Sequence, residues 1–259
     1  MTDTSDLTQP AAQPARIEWR AGTVAEVIVE TPHAKTLVLD VPGWPGHAAG
    51  QHVDVRLTSE DGYQAQRSYS IASEPTRSTL SITIERLDDG EVSPYLTDAL
   101  GVGDRLELRG PIGGYFVWEP TLAGPLFLVA GGSGIVPLMA MLRARASAAP
   151  ALRAAAPATL LYSSRGWDDV IYREELARLA DEPGVRLIHT LTRTRPPGWT
   201  GFTRRIDADM LTEVAPDPST HPHIYVCGPT ALVESVAQIL VDLGHEPARV
   251  KTERFGPTG

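Results

Sequence analysis

Four nearly unbroken apolar runs, residues 125–130 (PLFLVA), 158–164 (ATLLYSS), 185–192 (VRLIHTLT) and 223–228 (HIYVCG), alternate with helical stretches over residues 136–146, 173–180 and 231–244. A strand apolar on both faces must be covered on both faces, and helical crossovers between such strands make them parallel. The second half of the chain is therefore predicted to form a doubly wound α/β unit. Ahead of it, from Gly22 to Leu108, short strands (TVAEVIVE, KTLVLDV, HVDVRL, RSYSIAS, LSITIERL, RLELRG) are separated by Pro, Gly, Asp and Ser clusters, the pattern of an antiparallel, Greek-key β-barrel. Two domains follow, with the boundary near residue 120: a barrel over 16–119 and the α/β unit over 120–259. Within the barrel half, SPYLTDAL is predicted to be a short helix capped by Ser93 with Pro94 at its first position. Residues 144–158, rich in Ala and Pro, are expected to be a helix end plus a surface loop.

Composition narrows the function. The 259 residues carry a formal charge of −9, so nucleic acid and anionic membrane surfaces are disfavoured as main partners by Coulomb repulsion. The single cysteine, Cys227, cannot form an internal disulfide, an iron-sulfur cluster or a thiolate zinc site by itself, and no metal site is expected. A reducing cytoplasm is the expected location. No run approaches the roughly 20 apolar residues that cross a bilayer. Residues 1–15 lack the basic start and apolar middle of a secretory signal and read as a disordered tail.

The strand at 126–130 runs into Gly131-Gly132-Ser133-Gly134-Ile135-Val136-Pro137. Glycines let a backbone approach a ligand closely, and the start of the next helix attracts phosphate. The same turn could be only a tight connection, and Pro137 stands where the dinucleotide fingerprint has its third glycine. Ser164 and Arg165 end the second strand and Arg193 follows the third, so all three would face the same crevice, either to grip a phosphate monoester or as solvated loop ends. Cys227, on the fourth strand, is either a buried structural thiol or a group emerging at that edge. In Arg67-Ser68-Tyr69-Ser70, simple alternation puts Tyr69 and Ile71 on one side and Ser68 and Ser70 on the other.

Taken together, Arg67-Ser68-Tyr69-Ser70, Gly90-Glu91-Val92-Ser93, Gly132-Ser133-Gly134-Ile135-Val136-Pro137 and Cys227-Gly228-Pro229, in this order across a barrel and an α/β unit, resemble the ferredoxin-NADP reductase superfamily. The resemblance implies an FAD-binding barrel and an NAD(P)-binding domain in an electron-transport flavoprotein. It implies that Arg67 pairs with a flavin phosphate, Tyr69 stacks on the isoalloxazine and Ser70 hydrogen-bonds near its N5. Ile84 and Arg86, the Gly90, Val92 and Ser93 turn, and Phe255 would complete the FAD site. Gly132, Ser133, Gly134, Pro137, Gly228 and Pro229 would shape the dinucleotide site, with Cys227 beside the nicotinamide. Ser164, Arg165, Arg193 and Arg205 would take the 2'-phosphate of NADPH, NADH being the alternative. Plant-type members end in Glu-x-Tyr. Here Glu253-Arg254-Phe255 has phenylalanine in the tyrosine's place and a four-residue extension, so the roles of Glu253 in proton handling or docking and of Phe255 as a gate are open.

The implied reaction carries hydride from NADPH to FAD and then passes electrons singly to a separate carrier such as ferredoxin or flavodoxin. The alternative is an NADH-dependent reductase component of a multi-component oxygenase or another redox enzyme. A third possibility is a non-catalytic flavin-binding module. Catalytic roles would fall to Ser70, Cys227 and Glu253.

Overall fold

The computed structural model describes residues 17–256. The tail expected over residues 1–15, Arg16, and the last three residues of the C-terminal extension lie outside the described residues. The first half forms six antiparallel strands: β1 (Trp19–Thr31), β2 (Ala34–Asp40), β3 (His52–Thr58), β4 (Gln64–Ser70), β5 (Leu80–Glu85) and β6 (Arg105–Ile112). Their order is β4-β3-β6-β1-β2-β5. Period-two alternation builds the barrel core, in which Leu37, Leu39, Val53, Val55, Ile82, Ile84, Leu106 and Leu108 are buried together. Each such side chain contributes on the order of 1.5–3 kcal/mol.

Two expectations are corrected here. The barrel is not closed by a continuous ladder, because β4 and β5 meet only through an isolated bridge between Ile71 and Ile82. The chain leaves the ladder at that point: Ala72 N–H donates to Ser81 O at 2.7 Å, and Ser81 N–H donates to Ser73 Oγ at 3.0 Å, which turns the backbone away. The SPYLTDAL segment is helical as expected, with a π-helical turn over Tyr95–Ala99, but Ser93 does not cap it. Its hydroxyl accepts instead from Leu87 N–H at 3.1 Å, closing the turn that leads into Gly90.

The second half has five parallel strands, β7 (Leu126–Gly131), β8 (Ala158–Ser164), β9 (Val185–Leu191), β10 (His223–Pro229) and β11 (Val250–Phe255). They are ordered β11-β10-β7-β8-β9. Helices α1 (Ile135–Ser147), α2 (Pro150–Ala155), α3 (Arg173–Ala180), α4 (Ala208–Val214) and α5 (Thr230–Asp242) connect them. The four apolar runs are β7 to β10. Their cover on two faces divides the core into one cluster under α1 and α3 and another under α4 and α5. β11 (VKTERF) has too few apolar residues to stand out in the sequence, and it forms as an edge strand beside β10. Because β7 lies between β8 and β10, the chain winds outward from β7 to β8 and β9 on one side and then crosses back to β10 and β11 on the other. The carboxyl ends of β7 and β10 thus flank the switch point at which open α/β sheets bind ligands.

The two sheets are joined by specific bonds. Arg143 of α1 donates to Ala72 O at 2.7 Å, and Tyr225 Oη of β10 donates to Val117 O at 2.6 Å. Tyr172, buried and held at φ 60° ahead of α3, donates its backbone N–H to Glu30 Oε2 at 3.3 Å. Its hydroxyl hydrogen-bonds Thr83 of β5. A bulky residue at positive φ is strained and persists only where its surroundings hold it.

Candidate active site

At the switch point the backbones of β7 and β10 are in close contact. Gly134 has ordinary helical dihedrals, φ −61° and ψ −11°. What requires glycine there is space, because a Cβ would collide with the Cys227 carbonyl and lie 2.8 Å from Gly228 N. Gly228, in turn, sits with Gly131 Cα 3.2 Å from where its own Cβ would be. The turn Gly132–Gly134 and the Cys227-Gly228-Pro229 strand end therefore form one surface. Pro137 lies in the first turn of α1 and is buried. Cys227 is 3% exposed. Burial, reinforced by the nearby Glu253, pushes its thiol well above the usual range, so it stays protonated and is no nucleophile.

β11 places Glu253 directly beside Cys227 in register, and Phe255 beside Pro229. Burial pushes the Glu253 carboxyl up to about 7. A carboxyl that titrates near neutrality and a protonated thiol thus stand side by side at the sheet edge, with Phe255 at the strand end 37% exposed.

Further along the edge, Arg165 and Arg193 are adjacent, since Arg193 N–H donates to Arg165 O at 2.8 Å. Both side chains are exposed and neither makes an ion pair among the described residues. Two cations left unpaired side by side suit an anionic group. Arg205 is exposed, and its neighbour Arg204 is bonded to Asp207. Ser164 lies at the same edge but its hydroxyl is enclosed, as is that of Thr230 at the start of α5; neither has a hydrogen-bond partner. Buried hydroxyls without partners are uncommon. Thr230 has no signature in the sequence beyond following Gly228-Pro229.

On the barrel side, Arg67 is brought to the Gly90–Ser93 turn, with its Nη2 3.2 Å from Glu91 Oε2. An exposed pair of this kind is worth no more than about 1 kcal/mol, so a phosphate can displace the carboxylate. Gly90 is needed sterically, because a Cβ would stand 2.9 Å from Ser93 Oγ. Tyr69 and Ser70 are half-buried. Burial pushes the Tyr69 phenol up to about 12, so it remains an O–H donor. Ile84 and Val92 are 0% and 1% exposed, with side chains in the barrel core; only their backbones can touch a ligand. Arg86 is held by Asp98 at 2.8 Å and by Asp88, stapling β5 to the 95–99 turn.

The barrel half reaches the Gly132 turn. The last residue of β5, Glu85, reaches the first glycine of the dinucleotide-type turn, with Oε2 3.6 Å from where a Cβ on Gly132 would be. β5 also follows β4, which carries Arg67, Tyr69 and Ser70, through the Ile71–Ile82 bridge. A cavity of about 820 Å³ lies elsewhere, among Glu30, Thr36, Ser81, Arg143, Tyr172 and Glu175. Its interior groups already satisfy one another: Arg143 bonds Glu175 at 2.6 Å, and Thr36 bonds Glu30 at 2.7 Å. No group of His, Cys, Asp and Glu suited to a metal ion occurs among the described residues, and none of their helices is long and apolar enough to cross a membrane.

Comparison with known proteins gives concordant matches for both halves. Residues 23–117 match the family model of the oxidoreductase FAD-binding domain, and residues 128–238 that of the oxidoreductase NAD-binding domain. NADH-cytochrome b5 reductase 1 of Aspergillus terreus is 31% identical over 81% of this chain and 71% of its own length. The glycine betaine monooxygenase reductase subunit of Pseudomonas aeruginosa is 34% identical over 81% of this chain, which spans only 56% of that protein. Among solved structures, the FAD/NAD-binding domain of nitric oxide dioxygenase from Vibrio cholerae superposes with a TM-score of 0.81 at 25% identity, covering 92% of this chain and 99% of that one.

Proposed function

Since the chain belongs to the ferredoxin-NADP reductase superfamily and is an FAD-dependent NAD(P)H reductase, we propose that it draws reducing equivalents from NADPH and hands them to a separate one-electron carrier such as a ferredoxin or flavodoxin. In this reading residues 16–119 hold the flavin and residues 120–259 the dinucleotide. The observation that supports it most directly is the approach of Glu85, at the end of β5, to the Gly132 turn, since β5 is bridged to the strand end that carries Tyr69 and Ser70.

Bound FAD supplies the exchange between two-electron and one-electron chemistry. Arg67 and the amides of the Gly90–Ser93 turn bind its phosphates, Tyr69 packs on the ring and Ser70 orients it. Gly132–Gly134 and Gly228-Pro229 seat the dinucleotide, and the protonated Cys227 thiol and Glu253 border the nicotinamide. Their value is positional, because reacting atoms must be held about 3–3.5 Å apart. Phe255 lies at the strand end where it can cover the ring. The Arg165–Arg193 pair supports NADPH through its 2'-phosphate. The one cysteine in 259 residues gives this chain no cluster of its own, which supports an external acceptor and fits a reducing, cytoplasmic setting.

A second reading, an NADH-dependent reductase component of a multi-component oxygenase, is favoured by the named activities of the cytochrome b5 and glycine betaine relatives. The test is anaerobic titration of the purified yellow protein with NADPH and NADH, repeated for Arg165→Ala. Loss of a charged phosphate contact should raise the NADPH KM roughly tenfold or more and leave the NADH KM unchanged. Faster bleaching of wild type by NADH, unaffected by the substitution, would select the second reading. A protein that binds no flavin, or whose flavin neither dinucleotide bleaches, would overturn both.

A further inference from the structure

β5 has two faces of opposite character. Ile82 and Ile84 enter the barrel core, so Ser81, Thr83 and Glu85 alternate onto the other face, toward the α/β half. Thr83 uses that position to bond Tyr172. Glu85 uses it to stand over the Gly132 turn, 3.6 Å from a Cβ position on Gly132, whose φ is +53°. Its field also reaches the Tyr162 phenol on β8. Among the described residues no ion pair involves Glu85, so no cation at the seam neutralises it. A carboxylate thus faces a backbone turn of the kind that binds anions.

We propose that Glu85 sets dinucleotide affinity by repulsion: its carboxylate opposes the pyrophosphate at the Gly132 turn, weakens binding of NADPH and NADH alike, and hastens departure of the oxidised dinucleotide. This rests on the reading of Gly132–Gly134 as the dinucleotide turn. Two like charges brought close together near a protein surface change a binding constant by roughly tenfold or more. The pyrophosphate is common to both dinucleotides, so Glu85 acts on overall affinity, whereas discrimination between them is left to Arg165 and Arg193.

The experiment titrates FAD-loaded wild type, Glu85→Gln and Glu85→Lys with NADP+ and NAD+, followed by flavin difference spectra and calorimetry at two ionic strengths. Glu85→Gln should lower both dissociation constants about tenfold at low salt and Glu85→Lys further, with the NADP+ to NAD+ ratio held within about twofold. The gain should shrink on raising salt, since screening weakens an exposed interaction. Damage to the fold would weaken binding, so a gain in affinity separates electrostatics from a merely structural role. Unchanged or weaker binding in both variants, as expected if Glu85 accepted hydrogen bonds from ribose hydroxyls, would overturn the inference while leaving the turn's assignment intact. Absence of any wild-type response to either dinucleotide would overturn both.

Discussion

Replacing Gly134 by alanine tests the switch-point geometry most directly. The backbone there has helical dihedrals open to any residue, so the whole effect comes from one methyl group. That methyl would overlap the Cys227 carbonyl and stand 2.8 Å from Gly228 N; both are backbone atoms at the carboxyl end of a parallel strand, with no flexible side chain to give way. Restoring an ordinary contact requires β10 or the turn to move by about 1 Å. Overpacking of this kind costs about 1–3 kcal/mol. For a chain of this size each kcal/mol lowers Tm by about 2–4 °C, so a fall of about 2–12 °C is expected. The displaced group is Cys227, and misplacement by about 1 Å costs on the order of a hundredfold in rate. Stopped-flow bleaching of the flavin by NADPH should slow accordingly, with the flavin still bound because its residues lie on the other sheet. Gly114→Ala is the control, since a Cβ there meets nothing within 4 Å and the residue has no positive φ. The reasoning is refuted if the two alanine variants melt together and bleach at the same rate.

Two further outcomes follow from burial at the same edge. Glu253 titrates near 7 in the folded protein, above its ordinary value of 4.5, so the native state holds that proton more tightly than the unfolded chain. Its stabilising contribution is complete below about 4.5 and is lost as pH rises through about 7. Melting curves of wild type and Glu253→Gln between pH 4 and 8.5 should show the wild type losing ground to the variant across that window; parallel curves would contradict the assignment. The Cys227 thiol, buried and raised well above 9, should react with iodoacetamide at pH 8 far more slowly than a free thiol. Unfolding in guanidinium should then release one equivalent, and native labelling at the free-thiol rate would show the site to be open.

The α/β half was legible because a parallel sheet buried on both faces demands unbroken apolar strands, and those runs occur nowhere else in the chain. The glycine turn and the cysteine strand end were legible as positions: strands of one parallel sheet end at one edge, so Gly132, Arg165, Arg193 and Cys227 had to be neighbours. β11 was not, since an edge strand covered on fewer sides needs no apolar run, and VKTERF has the composition of a loop. The Ser93 cap failed because its hydroxyl had a second N–H within reach, that of Leu87, and local propensity does not rank competing partners. In SITIE the polar alternates were visible but their purpose was not. Only when the second sheet docks does Thr83 find Tyr172, and Glu85 the turn at Gly132.

Periodicity and turn chemistry are local properties, and from them the sequence alone determined two sheets, their strand types and which chain segments end at the ligand edge. Contacts between residues far apart in the chain depend on how the finished sheets pack. The open barrel seam, the steric need for Gly134 beneath Cys227, the placing of Glu253 beside Cys227 and the carboxylate of Glu85 over the Gly132 turn were therefore decided only by tertiary structure.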